Sequence, residues 1–196
     1  MALSGAIFQV TMLGELASSG FIGPQSPTMA LAVGLGSYMS LAGKMFTTKD
    51  TGTLGVGVGV GIGIINLTKS VIAGHVFDEV SKATGTIGEK LQATCIAIGA
   101  GLEAEVALAS LIGTHPTVAV GSGVVDPGSY TVEGGEWGSN ITSAGPFSGE
   151  KWADFAKAVG KGCANSFQVA AGQLIIAGAP IIPPSPGSGT GTGVLV

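Results

Sequence analysis

The sequence predicts a mainly α-helical protein with extended Gly-rich arms or short strands. Two observations predict this fold class: the composition, and the spacing of apolar residues and glycines along the chain. Of its 196 residues, 45% are hydrophobic, 35 are Gly and only 10% are charged. Apolar stretches with helical spacing end at proline or polar stops, and runs with Gly at every second position follow these stops. We interpret this succession as a degenerate repeat of helix, Pro stop and Gly-x-Gly run.

Apolar residues recur at spacings of three and four in five segments, which predicts five helices. In one of them Val71, Ile72, Val76 and Val80 share this spacing, and Thr84-Gly85 is expected to end the helix. In another the same spacing joins Trp152, Phe155, Ala156 and Val159. The predicted helices cover residues 6–18, 28–46, 67–83, 88–112 and 149–177.

The Gly-rich runs predict extended structure. Residues 51–63, 117–125 and 187–194 alternate Gly with other residues, and residues 32–36 are read as a shorter run in a third copy of the repeat. In a strand, a period of two places every Gly on one face, which allows a second backbone to approach closely. Such a strand is weak on its own, because ordering Gly is entropically costly, so it needs a partner surface.

The composition divides the chain into three parts. Residues 1–125 form a helical repeat region with extended segments, and residues 149–196 form a C-terminal helix followed by a Pro- and Gly-rich arm. Residues 126–148 between them are polar and rich in turn formers. We expect an exposed excursion there, with Tyr130 and Trp137 as contact residues, because aromatic side chains often anchor interfaces.

Low charge makes an ordinary monomeric surface difficult to build, since soluble domains carry about a quarter charged residues. Bare apolar patches and strand edges promote association. We therefore expect copies of the chain, with other structural subunits, to cover these surfaces. The predicted assembly contacts are Gly55, Gly57, Gly59, Gly61, Tyr130, Trp137, Gly187, Gly189 and Gly191.

The basic residues argue against nucleic acid as a partner. The chain has eight Lys, no Arg and a net charge of −4. Arg supplies the planar fork that binds phosphates and guanine edges, and nucleic-acid binding usually requires a basic patch. The N-terminus also lacks basic residues before its apolar stretch, so we expect no secretory signal peptide.

No motif predicts catalysis, a cofactor or a bound metal. His75 and the following acidic residues Asp78 and Glu79 offer too few ligands for a metal site, which needs three or four. The chain has no Gly-x-Ser-x-Gly elbow, and its Gly runs lack the Gly-Lys-Ser/Thr of a phosphate loop. Cys95 and Cys163 stand in apolar contexts, which predicts buried thiols rather than a reactive pair. We therefore expect a non-enzymatic protein.

In composition and sequence pattern the chain resembles small structural proteins of tailed-bacteriophage virions. The resemblance covers the Gly/Ala-rich helices, the run Thr-Lys-Asp-Thr-Gly-Thr-Leu-Gly-Val-Gly-Val-Gly at residues 48–59 and the Gly-rich C-terminus. It implies a neck, tail or baseplate component, assembled in the host cytoplasm and located in the virion.

Two alternatives remain open. The first is a membrane-inserted protein, because residues 95–112 are apolar and rich in Gly and Ala, although Glu103 and Glu105 would be costly within a bilayer. The second is a small ligand-binding domain or enzyme, which requires a defined pocket.

Overall fold

The computed structural model describes residues 3–21, 23–52, 57–65, 67–108, 113–117, 122–125, 134–170, 174–178 and 187–194. The chain is mainly helical, as predicted. Its helices are α1 (Gly5–Ser18), α2 (Ser26–Leu41), α3 (Lys69–Thr84), α4 (Glu89–Leu108), α5 (Gly134–Ala144) and α6 (Glu150–Ala170). Its strands are β1 (Met45–Gly52), β2 (Gly57–Ile65), β3 (Gly113–Thr117), β4 (Ser122–Val125), β5 (Leu174–Gly178) and β6 (Gly187–Val194).

The element order is two helices followed by two strands, three times over. Each helix packs against the next one along the chain, and α6 packs back against α1, so the six helices form a closed ring. Helix α6 also contacts α2 and α4 across the ring. We call α2, α4 and α6 the inner helices, and α1, α3 and α5 the outer helices. The repeat that combines a Pro stop with a Gly-x-Gly run stays a prediction.

The outer helices bury a narrow stripe of large side chains with a spacing of four. In α1 this stripe is Phe8, Met12 and Leu16. In α3 it is Ile72, Val76 and Val80, and in α5 it includes Trp137 and Ile141. A spacing of four keeps side chains on one face of a helix, so each outer helix turns one face to the core and the other to solvent.

The inner helices pack through small residues on more than one side. A Cβ at Gly34 would lie 2.6 Å from the carbonyl oxygen of Phe8 in α1, and a Cβ at Gly36 would lie 2.6 Å from the Cα of Val76 in α3. Two residues along an α-helix rotate by about 200°, so the two glycines face opposite neighbours. Helix α2 is therefore held between two outer helices at backbone contact distance.

The same arrangement recurs in α4. A Cβ at Gly99 would overlap the carbonyl oxygen of Lys69 in α3, and a Cβ at Gly101 would overlap Ile141 in α5. In α6, Gly162 faces Met12 of α1, where a Cβ would lie 2.9 Å from the sulfur atom. Glycine thus sets the close spacing between inner and outer helices, including the contact that closes the ring.

The strands form one antiparallel sheet in the order β3-β2-β1-β6-β5-β4. In its centre, Thr48 of β1 is paired with Gly63 on one side and Gly191 on the other. Asp50 is likewise paired with Gly61 and Gly189. The Gly-rich runs of β2 and β6 therefore flank the same strand.

Several predicted boundaries are wrong. Helix α2 begins at Ser26 and contains residues 32–36, in agreement with the helix predicted at 28–46, so the second interpretation of these residues as an extended Gly run is wrong. Both glycines of this run lie against neighbouring helices. The helix predicted at 149–177 ends at Ala170, and β5 follows from Leu174 to Gly178. Its β-branched Ile175 and Ile176 favour a strand. Helix α2 also ends earlier than predicted, at Leu41, whereas the predicted end of α4 at residue 112 lies outside the described residues.

The expectation of an exposed excursion at residues 126–148 is wrong for its second half, where α5 runs from Gly134 to Ala144. Trp137 and Ile141 of this helix are fully buried against the core. Polar and small residues had suggested a loop, but two large apolar residues one turn apart are enough to attach a short helix to the ring.

Candidate functional site

Four aromatic rings meet where α1 ends and α6 begins. Phe21 follows α1 and stands edge-on to Phe155 of α6, with ring centroids 5.2 Å apart. Trp152 stacks on Phe155 with centroids 5.6 Å apart, and Phe147 stands edge-on to Trp152 with centroids 5.4 Å apart. Offset and edge-to-face arrangements at these distances are favourable for aromatic pairs, so the cluster is a stable surface feature.

The turn between α5 and α6 fixes the Trp152 ring. Its indole Nε1 donates a hydrogen bond to the carbonyl oxygen of Thr142, 3.2 Å away near the end of α5. Gly145 leaves room for the ring, because a Cβ there would overlap its six-membered part. Gly149 then enters α6 at φ +106°, a conformation that side chains of L-residues rarely adopt. The position of Trp152 is therefore determined by the local chain path.

The cluster lines an open cavity of about 360 Å³, which we call the aromatic groove. Its lining residues are Phe21, Thr94, Phe147, Ser148, Lys151, Trp152 and Phe155. Lys151 and Ser148 place polar groups at its rim. A second cavity of about 500 Å³ adjoins it and shares Phe21 and Lys151, with the carboxylates of Glu150 and Asp154 in its wall. Together they form an apolar cavity beside a charged one.

The groove lies at the turn end of the helical ring. Short connections join α1 to α2, α3 to α4 and α5 to α6, so each pair is an antiparallel hairpin. Each connection carries an apolar residue: Phe21, Ile87 and Phe147. Ile87 is 77% exposed and Phe147 is 41% exposed. One end of the ring therefore presents apolar side chains to solvent on all three turns.

Several polar side chains in the described interior are hydrogen-bonded to one another or to the backbone. The amide Nδ2 of Asn140 in α5 donates a hydrogen bond to the Oε1 of Glu105 in α4, 2.9 Å away, which ties the two helices together. The hydroxyl groups of Ser37 and Ser166 donate to the carbonyl oxygens four residues earlier in their own helices. These bonds satisfy buried polar groups locally, as burial requires.

The cysteines are buried, as predicted. Burial raises the pKa of the Cys95 thiol to about 12. Burial also raises the pKa of Cys163 to about 12, although contact with Ser37 acts in the opposite direction. The thiolate is the nucleophile and the metal ligand, so neither thiol is activated for such chemistry near neutral pH.

His75 lies half-buried on α3, and the nearby Glu79 accepts a hydrogen bond from the Nζ of Lys82 at 2.9 Å. Within the described ranges, no group of three or more His, Cys, Asp or Glu residues is placed to hold a metal ion. Among the helices that the structure describes, none is both long and apolar enough to cross a membrane.

The predicted assembly residues are distributed over three environments. Gly57, Gly59 and Gly61 lie in β2, and Gly187, Gly189 and Gly191 lie in β6, where each strand is paired on both sides within the chain. Trp137 is fully buried in the core, because its helix packs against α4 and α6, so it is not a surface contact in this fold. Gly55 and Tyr130 lie outside the described residues. A role of the Gly residues in assembly stays a prediction.

Sequence reasoning missed the aromatic groove. Trp152 and Phe155 had been assigned to the apolar face of a helix, where they do lie, but Phe21 and Phe147 carried no periodic signal. One signal was available: Gly145, Phe147 and Gly149 resemble Gly85, Ile87 and Gly88 in placing an apolar residue between glycines. Equivalent apolar residues in turns between helices indicate one shared surface.

No protein-family model, curated protein or solved structure matches this chain.

Proposed function

We propose that the chain is a non-enzymatic structural subunit of a large symmetric assembly, and that this assembly is a tailed-phage virion, with the chain in the neck, tail or baseplate. The observation that carries the proposal is the apolar turn end of the helical ring. A monomer would leave Ile87 and Phe147 in water, on the same end as the half-buried Phe21. Apolar groups gathered on one surface mark an interaction site.

The polar character of the chain supports assembly rather than catalysis. The described thiols are held protonated by burial, and the hydrogen bond between Asn140 and Glu105 links two helices inside the ring. With 10% charged residues, the chain has little surface charge with which copies could repel one another. The phage assignment draws on the resemblance of the Gly/Ala-rich helices and of residues 48–59 to virion proteins.

Light scattering coupled to size exclusion tests this function on the untagged full-length chain without detergent. We expect a discrete species of high mass. Because Ile87 is the most exposed of the apolar turn residues, Ile87→Ser should shift the chain toward the monomer. Val10→Ser is the matched control, since Val10 is 68% exposed on the side of α1, away from the turns, and should leave the mass unchanged.

A chain that elutes as a monomer at every concentration would refute the assembly function. A monomer that instead co-purifies with a small molecule in the aromatic groove would favour the alternative of a small ligand-binding domain, since a cavity of about 360 Å³ lies within the ordinary size range of ligand sites.

A further inference from the structure

Three apolar side chains stand on the turn end of the helical ring, one in each helical hairpin. Ile87 is 77% exposed and Phe147 is 41% exposed, and Phe21 is half-buried. The aromatic groove brings Phe21 and Phe147 together with Thr94, which lies in the second turn of α4, shortly after the connection that carries Ile87. The three hairpin turns therefore belong to one surface.

Both signs of charge flank these apolar turns. Helices α4 and α6 each begin with Glu-Lys, namely Glu89 and Lys90 in α4 and Glu150 and Lys151 in α6, and all four residues are exposed. The glycine before each pair has a positive φ, +126° in one case and +106° in the other, so the chain enters the two helices in a similar way. Two carboxylates and two ammonium groups therefore stand beside the apolar side chains in equal number.

The helix dipoles are also balanced at this end. Helices α1, α3 and α5 end at the turns, and helices α2, α4 and α6 begin there. A helix start carries a partial positive charge and a helix end a partial negative one, so the three starts offset the three ends. Such a surface has little net field with which to attract a polyanion or an anionic bilayer. It matches a second surface of the same kind, on which each carboxylate can meet an ammonium group.

The size of the turn end also suits a second copy. Six helices with a diameter of about 10 Å present about 500 Å² of end surface, so two copies that meet end to end bury about 1,000 Å² in total. Specific interfaces between proteins begin at about this area. Apolar side chains with charged groups around them are also the usual anatomy of such an interface.

We propose that the turn end is a dimer interface, on which two copies of this chain meet end to end. This inference rests on the proposed assembly function and names the partner at that surface. The apolar turns of the two copies pack against each other, and the Glu-Lys pairs of one copy face those of the other. Both copies use the same surface, so a twofold axis relates them and the contact is closed. A larger assembly then grows from these dimers through other surfaces.

Charge reversal beside the turns tests the contact. The acidic variant Lys90→Glu/Lys151→Glu places four carboxylates there, and the basic variant Glu89→Lys/Glu150→Lys places four ammonium groups there. Like charges across the contact repel, so each variant alone should associate at least about tenfold more weakly than the unmodified chain. An equimolar mixture of the two should recover the mass of the unmodified chain, because each contact then joins opposite charges. Light scattering coupled to size exclusion measures all of these samples.

Two controls separate the contact from net charge and from folding. Lys157→Glu/Lys161→Glu makes the same change of net charge on exposed positions further along α6, and should leave the mass unchanged. In 1 M NaCl the Debye length falls to about 3 Å, so the acidic variant should regain its mass without the basic one. This salt test does not require the basic variant to fold. Circular dichroism of every variant should show unchanged helical content.

Crosslinking with a carbodiimide locates the contact on the unmodified chain. The reagent joins a lysine amine to a carboxylate that touches it, and a mixture of isotope-labelled and unlabelled copies separates links between copies from links within one copy. We expect mixed-isotope peptides that join Lys90 or Lys151 to Glu89 or Glu150. Links between copies that involve only other residues would overturn the inference.

The outcomes distinguish this inference from the assembly function. High-mass particles whose mass the acidic variant does not change, or a folded mixture that stays as small as its two components, would overturn the inference and leave the assembly function standing. A discrete dimer that the acidic variant splits would support the inference and refute the large assembly. A chain that is monomeric at every concentration would refute both.

Discussion

The inner and outer helices reach close packing by opposite means. The outer helices supply bulk, with stripes such as Phe8, Met12 and Leu16 on one face. The inner helices contribute close backbone contact, because their glycines let the backbones of neighbouring helices approach on opposite sides. The difference shows how a chain with few aromatic residues builds a core: large side chains fill it, and glycines of the inner helices bring the backbones into contact.

The comparison also accounts for the polar residues inside the ring. Ser37, Ser40 and Ser166 are fully buried and belong to inner helices. Each hydroxyl donates to the carbonyl oxygen four residues before it, at 2.7–2.8 Å. A serine bonded in this way occupies little more space than alanine and leaves no polar atom without a partner. At these three positions a small side chain with a bonded hydroxyl is therefore accommodated in the core.

The largest effect is expected from truncating an outer stripe. Phe8→Ala should reduce the free energy of unfolding by about 3–5 kcal/mol, because it removes a fully buried ring and leaves a cavity that the close-packed helices cannot fill. Urea unfolding followed by circular dichroism measures the change. Val10→Ala on the same helix is the control, since an exposed side chain should contribute less than about 0.5 kcal/mol. Equal losses for the two variants would contradict the assignment of bulk to one face of α1.

A smaller loss is expected from adding one methyl group to an inner helix. Gly36→Ala places a Cβ where the Cα of Val76 lies 2.6 Å away and the carbonyl oxygen of His75 lies 2.9 Å away. Backbone atoms cannot rotate aside, so α2 and α3 must separate, and overpacking of this kind costs about 1–3 kcal/mol. Thermal unfolding should show a lower midpoint for this variant. A midpoint at or above that of the unmodified chain would mean that the two backbones are not in contact.

Sequence patterns predicted five of the six helices and missed only α5 among those that the structure describes. The apolar spacing of Ile72, Val76 and Val80 predicted α3, and the chain does leave this helix at Gly85 with φ +67°. In α6, the predicted apolar face of Trp152, Phe155, Ala156 and Val159 is buried. Both features depend on interactions within a few residues, which is the range over which periodicity carries information.

The Gly-x-Gly pattern was harder to interpret, because it occurs in two kinds of structure. In β2, Gly57, Gly59 and Gly61 lie in a paired strand, whereas Gly34 and Gly36 lie within a helix. The local pattern is the same, and the difference comes from neighbours distant in sequence. The motif Ala-Val/Ile-Gly-x-Gly occurs once in each inner helix, at residues 32–36, 97–101 and 158–162, but also at residues 119–123, where its last two residues belong to β4. The motif alone therefore does not separate helix from strand.

The candidate site, too, could be predicted from local sequence patterns only in part. Trp152 and Phe155 were assigned correctly to a helix face, but the groove requires Phe21 from a turn about 130 residues earlier and Phe147 from a second turn. Trp137 was expected at the surface because its neighbours are polar, yet α5 places it in the core. A groove formed by turns that meet only in the folded ring leaves no continuous pattern in the sequence.

The smallest expected effect has the opposite sign: a Gly→Ala substitution in an outer helix should stabilise the fold. Gly74 lies inside α3, and a Cβ there would meet no atom within 4 Å, in contrast to Gly36. Gly74→Ala therefore adds no overlap, and it removes the conformational freedom that glycine gives the unfolded chain, so the free energy of unfolding should rise by about 0.5–1 kcal/mol. Urea unfolding of Gly74→Ala beside Gly36→Ala makes the same chemical change in one outer and one inner helix. Opposite shifts would establish that glycine serves contact in the inner helices and not in the outer face of α3; two gains of equal size would mean that backbone freedom, rather than space, governs both positions.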